Sequence, residues 1–204
     1  MLRFCKGRIR ISFGFLLLSA WFAWGCGGEM LAAVLLASAV HELGHFLVLR
    51  AFGARIRGLR VEILGMVMET DLSHLSYPQE LAATLAGPGA NLLFAIFLAE
   101  QERGFVLAGA NLALCLFNLL PLSPLDGGRA VELCLVWLLG PDRGEVLAGR
   151  FGRCCGLILG TGLLFLMGAA KGNLWLLPPA LAALGGAVKN RKKAGFFRKK
   201  CLHS

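Results

Sequence analysis

The stretch that decides the fold is Ala39-Val40-His41-Glu42-Leu43-Gly44-His45-Phe46-Leu47, in which two histidines and a glutamate interrupt an apolar run. On an α-helix, positions four apart lie one turn apart on the same face, so His41 and His45 can present both imidazoles to one Zn²⁺. Glu42 can reach a water molecule on the open side of such a metal. The alternative is a solvated helix with two ordinary histidines. The apolar surroundings disfavour it, because ionisable groups in a membrane-length segment are costly and usually functional.

The composition around this stretch is that of a membrane protein. The chain has 204 residues, of which 57% are hydrophobic and 16% charged, and its mean hydropathy is +0.69. Soluble domains are typically about a quarter charged, so a soluble enzyme is excluded. The net charge of +9 could indicate nucleic-acid binding. However, the basic residues flank the apolar segments, which favours cytoplasmic loops beside anionic lipid headgroups and no nucleic-acid partner.

The apolar pattern predicts an all-α polytopic membrane protein with about six transmembrane helices. Residues 1–188 form its membrane-embedded domain, and residues 189–204 form a basic cytoplasmic tail. The predicted spans are residues 11–24, 30–52, 77–99, 104–120, 153–170 and 174–188. Gly87-Pro88-Gly89-Ala90-Asn91 is expected to interrupt the middle of the third span. Residues 130–139 are too short to cross a bilayer and predict a buried or interfacial helix.

The segment 55–71, between the second and third spans, breaks the helical pattern. It combines β-branched residues, a bend at Gly65 and intervening charges. This predicts a short β-hairpin at the membrane face, and an ordinary loop is the open alternative. An edge strand there could bind an extended peptide by strand addition.

The distribution of basic residues predicts which side of the membrane each connection occupies. With the N-terminus in the cytoplasm, 19 of the 21 Lys and Arg residues fall on the cytoplasmic side of the six-span arrangement. Cytoplasmic loops of membrane proteins carry such an excess. We therefore expect a multi-pass protein with both termini in the cytoplasm.

A zinc ion bound by two histidines needs a third protein ligand. Cys115 and Cys134 lack any motif, and Glu69 and Glu80 have ordinary solvated explanations at the ends of elements. Asp126 lies between prolines and two glycines, which let the backbone turn sharply and approach another group closely. Asp before Gly is also a common turn residue, but beside the histidine motif a ligand is favoured.

Three motifs in order resemble one known family. His-Glu-Leu-Gly-His, Gly-Pro-Gly-Ala-Asn and Asn-x-x-Pro-x-x-x-Leu-Asp-Gly-Gly resemble the site-2 protease family of intramembrane zinc metalloproteases, with the stage IV sporulation protein FB branch as the nearer likeness. The resemblance implies one zinc ion held by His41, His45 and Asp126, with Glu42 activating the water. It also makes Asn91 and Asn118 candidates for holding the substrate backbone or stabilising the oxyanion. A structural role, bridging polar gaps between spans, stays open for both.

The resemblance implies a zinc metalloendopeptidase that cuts in or near a transmembrane segment of a membrane-tethered precursor, such as a pro-sigma factor in sporulation. Its expected partners are that substrate and the lipid bilayer, and an inhibitory membrane partner is left open. Sporulation FB proteins commonly carry an appended nucleotide-binding domain and some relatives a PDZ insertion, and neither is expected here.

Two other functions compete with the peptidase. A metal transporter or metal sensor could use the same ligands, but it needs no general base at Glu42 and usually repeats its ligands along a path. A catalytically dead scaffold is disfavoured because every predicted catalytic residue is present in the sequence.

Overall fold

The structure is a computed structural model that describes residues 2–3, 9–11, 13–62, 65–72, 74–101, 104–169, 177, 180–181 and 183–185. The helices are α1 (Phe13–Cys26), α2 (Gly28–Ala51), α3 (Tyr77–Ala99), α4 (Phe105–Asn118), α5 (Asp126–Leu139) and α6 (Pro141–Ala169). The strands are β1 (Leu2–Arg3), β2 (Ile9–Ile11), β3 (Arg55–Glu62) and β4 (Gly65–Asp71). The chain divides into two compact units, Met1–Phe117 and Asn118–Ser204.

Three helices, α2, α3 and α6, are long and apolar enough to cross a membrane, and α4 is a shorter apolar helix. The burial pattern agrees with a lipid environment. Leu47 and Leu93 are 57% and 71% exposed, whereas His41 and Asn91 on the same two helices are 6% and 0% exposed. A surface of large apolar side chains around buried polar ones fits a protein surrounded by hydrocarbon.

The boundaries of the outer spans differ from the prediction. The first predicted span starts two residues too early, because residue 11 ends strand β2 and α1 begins at Phe13. Helix α6 begins at Pro141, well before the predicted residue 153, since proline is tolerated in the first turn of a helix. The predicted short helix at 130–139 is the end of α5, which begins at Asp126. The sixth span lies largely outside the described residues, and the basic tail lies wholly outside them.

The four strands form one sheet in the order β1-β2-β3-β4. Strand β3 lies inside it, parallel to β2 with Arg10 opposite Arg60, and antiparallel to β4 with Arg60 opposite Val67. Residues 55–71, for which a hairpin and a loop were both open, thus contain two paired strands. The sequence pattern missed β1 and β2, because strands of two and three residues are too short to show alternation. The protein is therefore mostly helical with a small sheet.

Helix α3 begins where the sequence predicts. Ser76 and Gln79 form a capping box in which the Gln79 side-chain oxygen accepts a hydrogen bond from the Ser76 backbone N–H at 3.0 Å. The predicted interruption at residues 87–91 is wrong, because α3 continues through Pro88 to Ala99. Both Gly87 and Pro88 are buried, so packing outweighs the loss of one backbone hydrogen bond at the proline.

Candidate metal centre

His41 and His45 converge on α2 as the four-residue spacing predicts. Their Nε2 atoms are 3.1 Å apart, and the two rings meet edge to face with centroids separated by 4.7 Å. Two nitrogens that bind one tetrahedral zinc ion at 2.0–2.1 Å are separated by about 3.3 Å. The pair therefore has the spacing of two ligands of a single zinc ion.

Residues of helix α3 contact the Nδ1 atom of each imidazole, on the side of the ring away from the paired Nε2 atoms. His45 Nδ1 lies 2.7 Å from the carbonyl oxygen of Ala83, so it carries the ring hydrogen and donates it. His41 Nδ1 lies 3.3 Å from the side-chain nitrogen of Asn91, which is fully buried. Metal-binding histidines usually donate the N–H of the ring nitrogen that faces away from the metal to an acceptor, as His45 does to Ala83.

Two glycines allow α2 and α3 to approach closely enough for these contacts. A Cβ atom at Gly44 would fall 2.8 Å from the Cβ of Ala90 and against the carbonyl oxygen of Ala86. A Cβ at Gly87 would fall against His45 Nε2 and 2.8 Å from His41 Nε2. Gly87 thus keeps the space at the metal-facing nitrogens open. The sequence motif predicts only a helix interruption at Gly87, although the four-residue spacing between Gly87 and Asn91 places both on one helix face.

Glu42 directly follows His41 on α2 and is half-buried. It therefore points about 100° around the helix from His41. Its position beside the first histidine agrees with the arrangement that the motif requires of a general base.

Asp126 and Asn118 belong to the second unit. Asp126 is the first residue of α5 and is half-buried, and Asn118 is the last residue of α4. The two glycines after Asp126 lie within α5, where Cβ atoms would meet the carbonyl oxygens of Leu119 and Leu122. They permit close packing, as expected. The expected sharp turn is wrong, since neither has a positive φ.

The other residues considered as zinc ligands differ in burial. Glu80, expected to be solvated, is 6% exposed in the first turn of α3, so that expectation is wrong. Cys115 is buried in α4 and Cys134 half-buried in α5. The Glu69 side chain lies outside the part of the structure that is described. His41, His45 and Asp126 offer two imidazole nitrogens and one carboxylate oxygen, which are ligand types that fit a zinc ion.

A buried His41 and a half-buried His45 of a His-Glu-x-x-His motif, on a helix of membrane length, fit the class of membrane-embedded zinc proteins. No family model matches the chain. A relative from Mycobacterium tuberculosis, which carries the provisional name zinc metalloprotease Rip3, is 34% identical over 174 residues. That match covers 76% of this chain and 43% of Rip3. The stage IV sporulation protein FB of Bacillus subtilis is 29% identical over 149 residues, or 68% of this chain and 51% of the relative.

A solved structure has the same fold. The site-2 protease from Methanocaldococcus jannaschii superimposes with a TM-score of 0.69 over 93% of each chain, at 24% sequence identity. Together with the curated relatives, it supports assignment of this chain to the site-2 protease family. The chain spans about half the length of the curated relatives it matches, or less.

Proposed function

We propose that this protein is an intramembrane zinc metalloendopeptidase. The observation that carries the proposal is the 3.1 Å approach of the His41 and His45 Nε2 atoms beside Gly87, on helices of membrane length. The names of the zinc metalloprotease relatives support it. In this proposal His41, His45 and Asp126 hold one zinc ion per chain.

The proposed chemistry is hydrolysis of a peptide bond. A bound zinc ion supplies Lewis-acid polarisation of the scissile carbonyl and a lowered pKa for its water. Glu42 takes the proton from the attacking water and then delivers it to the amine that leaves. The apolar helices around the site keep bulk water away, which strengthens the interaction of Glu42 with the water it deprotonates.

The proposed third ligand is tested by removing its carboxylate. Asp126→Ala should lower the zinc content well below one ion per chain, because only two protein ligands remain. Zinc is measured by elemental analysis of the purified protein. Asp142→Ala is the matched control, since Asp142 is an exposed carboxylate in the first turn of the next helix. A normal zinc content in Asp126→Ala would move the third ligand elsewhere, with buried Glu80 as the next candidate.

The proposed substrate is a membrane-tethered protein precursor. Similarity to a stage IV sporulation protein supports a pro-sigma factor as one member of this class. A precursor that accumulates uncut in the membranes of cells expressing Glu42→Gln would identify the substrate. The absence of any accumulated membrane protein would argue against proteolysis as the role of the site.

The proposed topology has six spans and both termini in the cytoplasm. The three long apolar helices and the 19-to-2 division of basic residues support it. A cysteine-specific, membrane-impermeant reagent should fail to label a single cysteine placed at Ser204 in intact cells. Labelling from outside would overturn the cytoplasmic placement of the C-terminus.

Strand addition to β4 is the proposed mode of substrate binding. Among the described strands β4 pairs with β3 alone, so one of its edges is open. Proline at Val61, a natural first test, would fall on the inner strand β3 and break the sheet itself. Ile63 lies outside the described residues, so β4 is the better target.

We expect Val67→Pro and Met68→Pro to differ. Successive N–H groups of β4 point alternately toward β3 and away from it, so one proline removes an outward donor and the other a bond within the sheet. The variant that loses the outward donor should keep its zinc and raise KM about 3- to 10-fold, the value of one hydrogen bond. Unchanged KM in both variants would reject strand addition at this edge.

A further inference from the structure

In the hydrogen bond between Asn91 and His41, zinc binding would exchange the donor and the acceptor. The amide nitrogen of Asn91 faces His41 Nδ1 at 3.3 Å. An amide nitrogen only donates, so in this orientation Nδ1 accepts and the ring hydrogen of His41 lies on Nε2. A ring nitrogen that carries a hydrogen has no lone pair to offer a metal. His41 can therefore bind zinc through Nε2 only when its hydrogen moves to Nδ1.

The acceptor that a hydrogen on His41 Nδ1 needs is present in Asn91 itself. Asn91 is 0% exposed, and its oxygen, Oδ1, has no hydrogen-bond partner among the residues that the structure describes. A buried acceptor without a donor costs roughly 1–3 kcal/mol. Rotation of the amide by half a turn brings Oδ1 to the hydrogen on His41 Nδ1 and the NH₂ group to the position that Oδ1 held. That rotation needs little space, because the two ends of an amide have nearly the same shape.

His45 already has the polarity that zinc binding requires. Its Nδ1 faces a backbone carbonyl, Ala83 O, which only accepts. The lone pair of His45 Nε2 is thereby fixed toward His41. His41 Nδ1 instead faces a side-chain amide, which can donate or accept, so the orientation of Asn91 bears on the tautomer of His41.

We infer that Asn91 is a positioning residue for zinc, holding His41 through its amide oxygen so that Nε2 faces the metal. This inference rests on the proposed zinc centre and differs from the role that the family resemblance gives Asn91, at the substrate backbone or the oxyanion. It assigns Asn91 to metal affinity, whereas a substrate contact would affect only turnover and substrate binding. The two roles predict different results for the same variants.

The test is a zinc titration of the full-length protein in detergent, in competition with a chromogenic chelator. Asn91→Leu has a similar volume and no acceptor, and it should weaken zinc binding by about 10- to 100-fold, as loss of a ligand's hydrogen-bond partner typically does. Asn91→Asp keeps an acceptor at the same place and should bind zinc at least as tightly as the parent. Asn111→Leu is the matched control. Asn111 is also 0% exposed, but its amide bonds to Leu107 O within its own helix, and its zinc affinity should equal that of the parent.

The outcomes separate this inference from the proposed activity. Parent-like zinc affinity in Asn91→Leu, with cleavage lost, would overturn the inference and leave Asn91 as a substrate contact. Equal loss of zinc in Asn91→Leu and Asn91→Asp would also overturn it, because an acceptor would then not suffice. Zinc affinities in the expected order, in a protein that cleaves no peptide, would support the positioning role and reject the peptidase. The absorption spectrum of the cobalt-substituted protein gives a second readout, since displacement of His41 alters the ligand field.

Discussion

Glu42→Gln should bind one zinc ion per chain and cleave its substrate about 10²- to 10⁴-fold more slowly than the parent, the usual contribution of a general base. Glutamine has nearly the shape of glutamate, so the packing of α2 should persist. Its amide cannot take a proton from the attacking water. The measurement pairs elemental analysis with cleavage of a single-span test substrate by the purified protein.

The matched control for this variant is Glu29→Gln. Glu29 lies in the first turn of the same helix and is exposed, so its neutralisation should leave both zinc content and cleavage unchanged. Cleavage at the parent rate by Glu42→Gln would refute the peptidase assignment. In that case transport or sensing of a metal ion would explain the same ligands better, because neither function needs a general base at position 42.

Gly87→Ala should abolish stoichiometric zinc binding. The added methyl group would occupy the space against His45 Nε2 and 2.8 Å from His41 Nε2, where the metal has to sit. Rotation of His45 away from it would break the hydrogen bond to Ala83 O. Alanine favours helix over glycine by roughly 0.5–1 kcal/mol, so α3 itself should not be weakened. Zinc content, helix content by circular dichroism and cleavage are measured together.

Gly89→Ala provides the control for this substitution. Gly89 lies two residues further along α3, and a Cβ there meets nothing within 4 Å. The variant makes the same change in helix propensity without filling the site, and it should keep its zinc and its activity. A normal zinc content in Gly87→Ala would show that the metal does not lie between the two Nε2 atoms.

Local spacing rules predicted the centre of this protein well. The convergence of His41 and His45 follows from the four-residue spacing alone, and the start of α3 follows from Ser76 and the residues after it. Both results depend on positions within one turn of helix, where backbone geometry is nearly fixed.

Features that depend on contacts between distant segments could not be predicted in the same way. Pro88 is buried within a continuous helix, and its packing compensates for the missing N–H. Glu80 is buried although it occupies a helix start, where acidic residues are usually solvated. Strand β2 pairs with β3, some 50 residues away, and β1 in turn pairs with β2. In each case tertiary context overrides the local preference.

The close approach of α2 and α3 at Gly44, Ala86 and Ala90 limits how a substrate of the proposed peptidase can reach the site. Separation of α2 from α3 would break the support that Ala83 and Asn91 give to the two imidazoles, so a lateral gate cannot open between these helices without dismantling the centre that it serves. Access from the lipid must therefore be found on another side of α2. A covalent cross-link between α2 and α3 should therefore leave turnover intact. These two helices would then form a rigid pair, and any conformational change that admits substrate would move other elements relative to it.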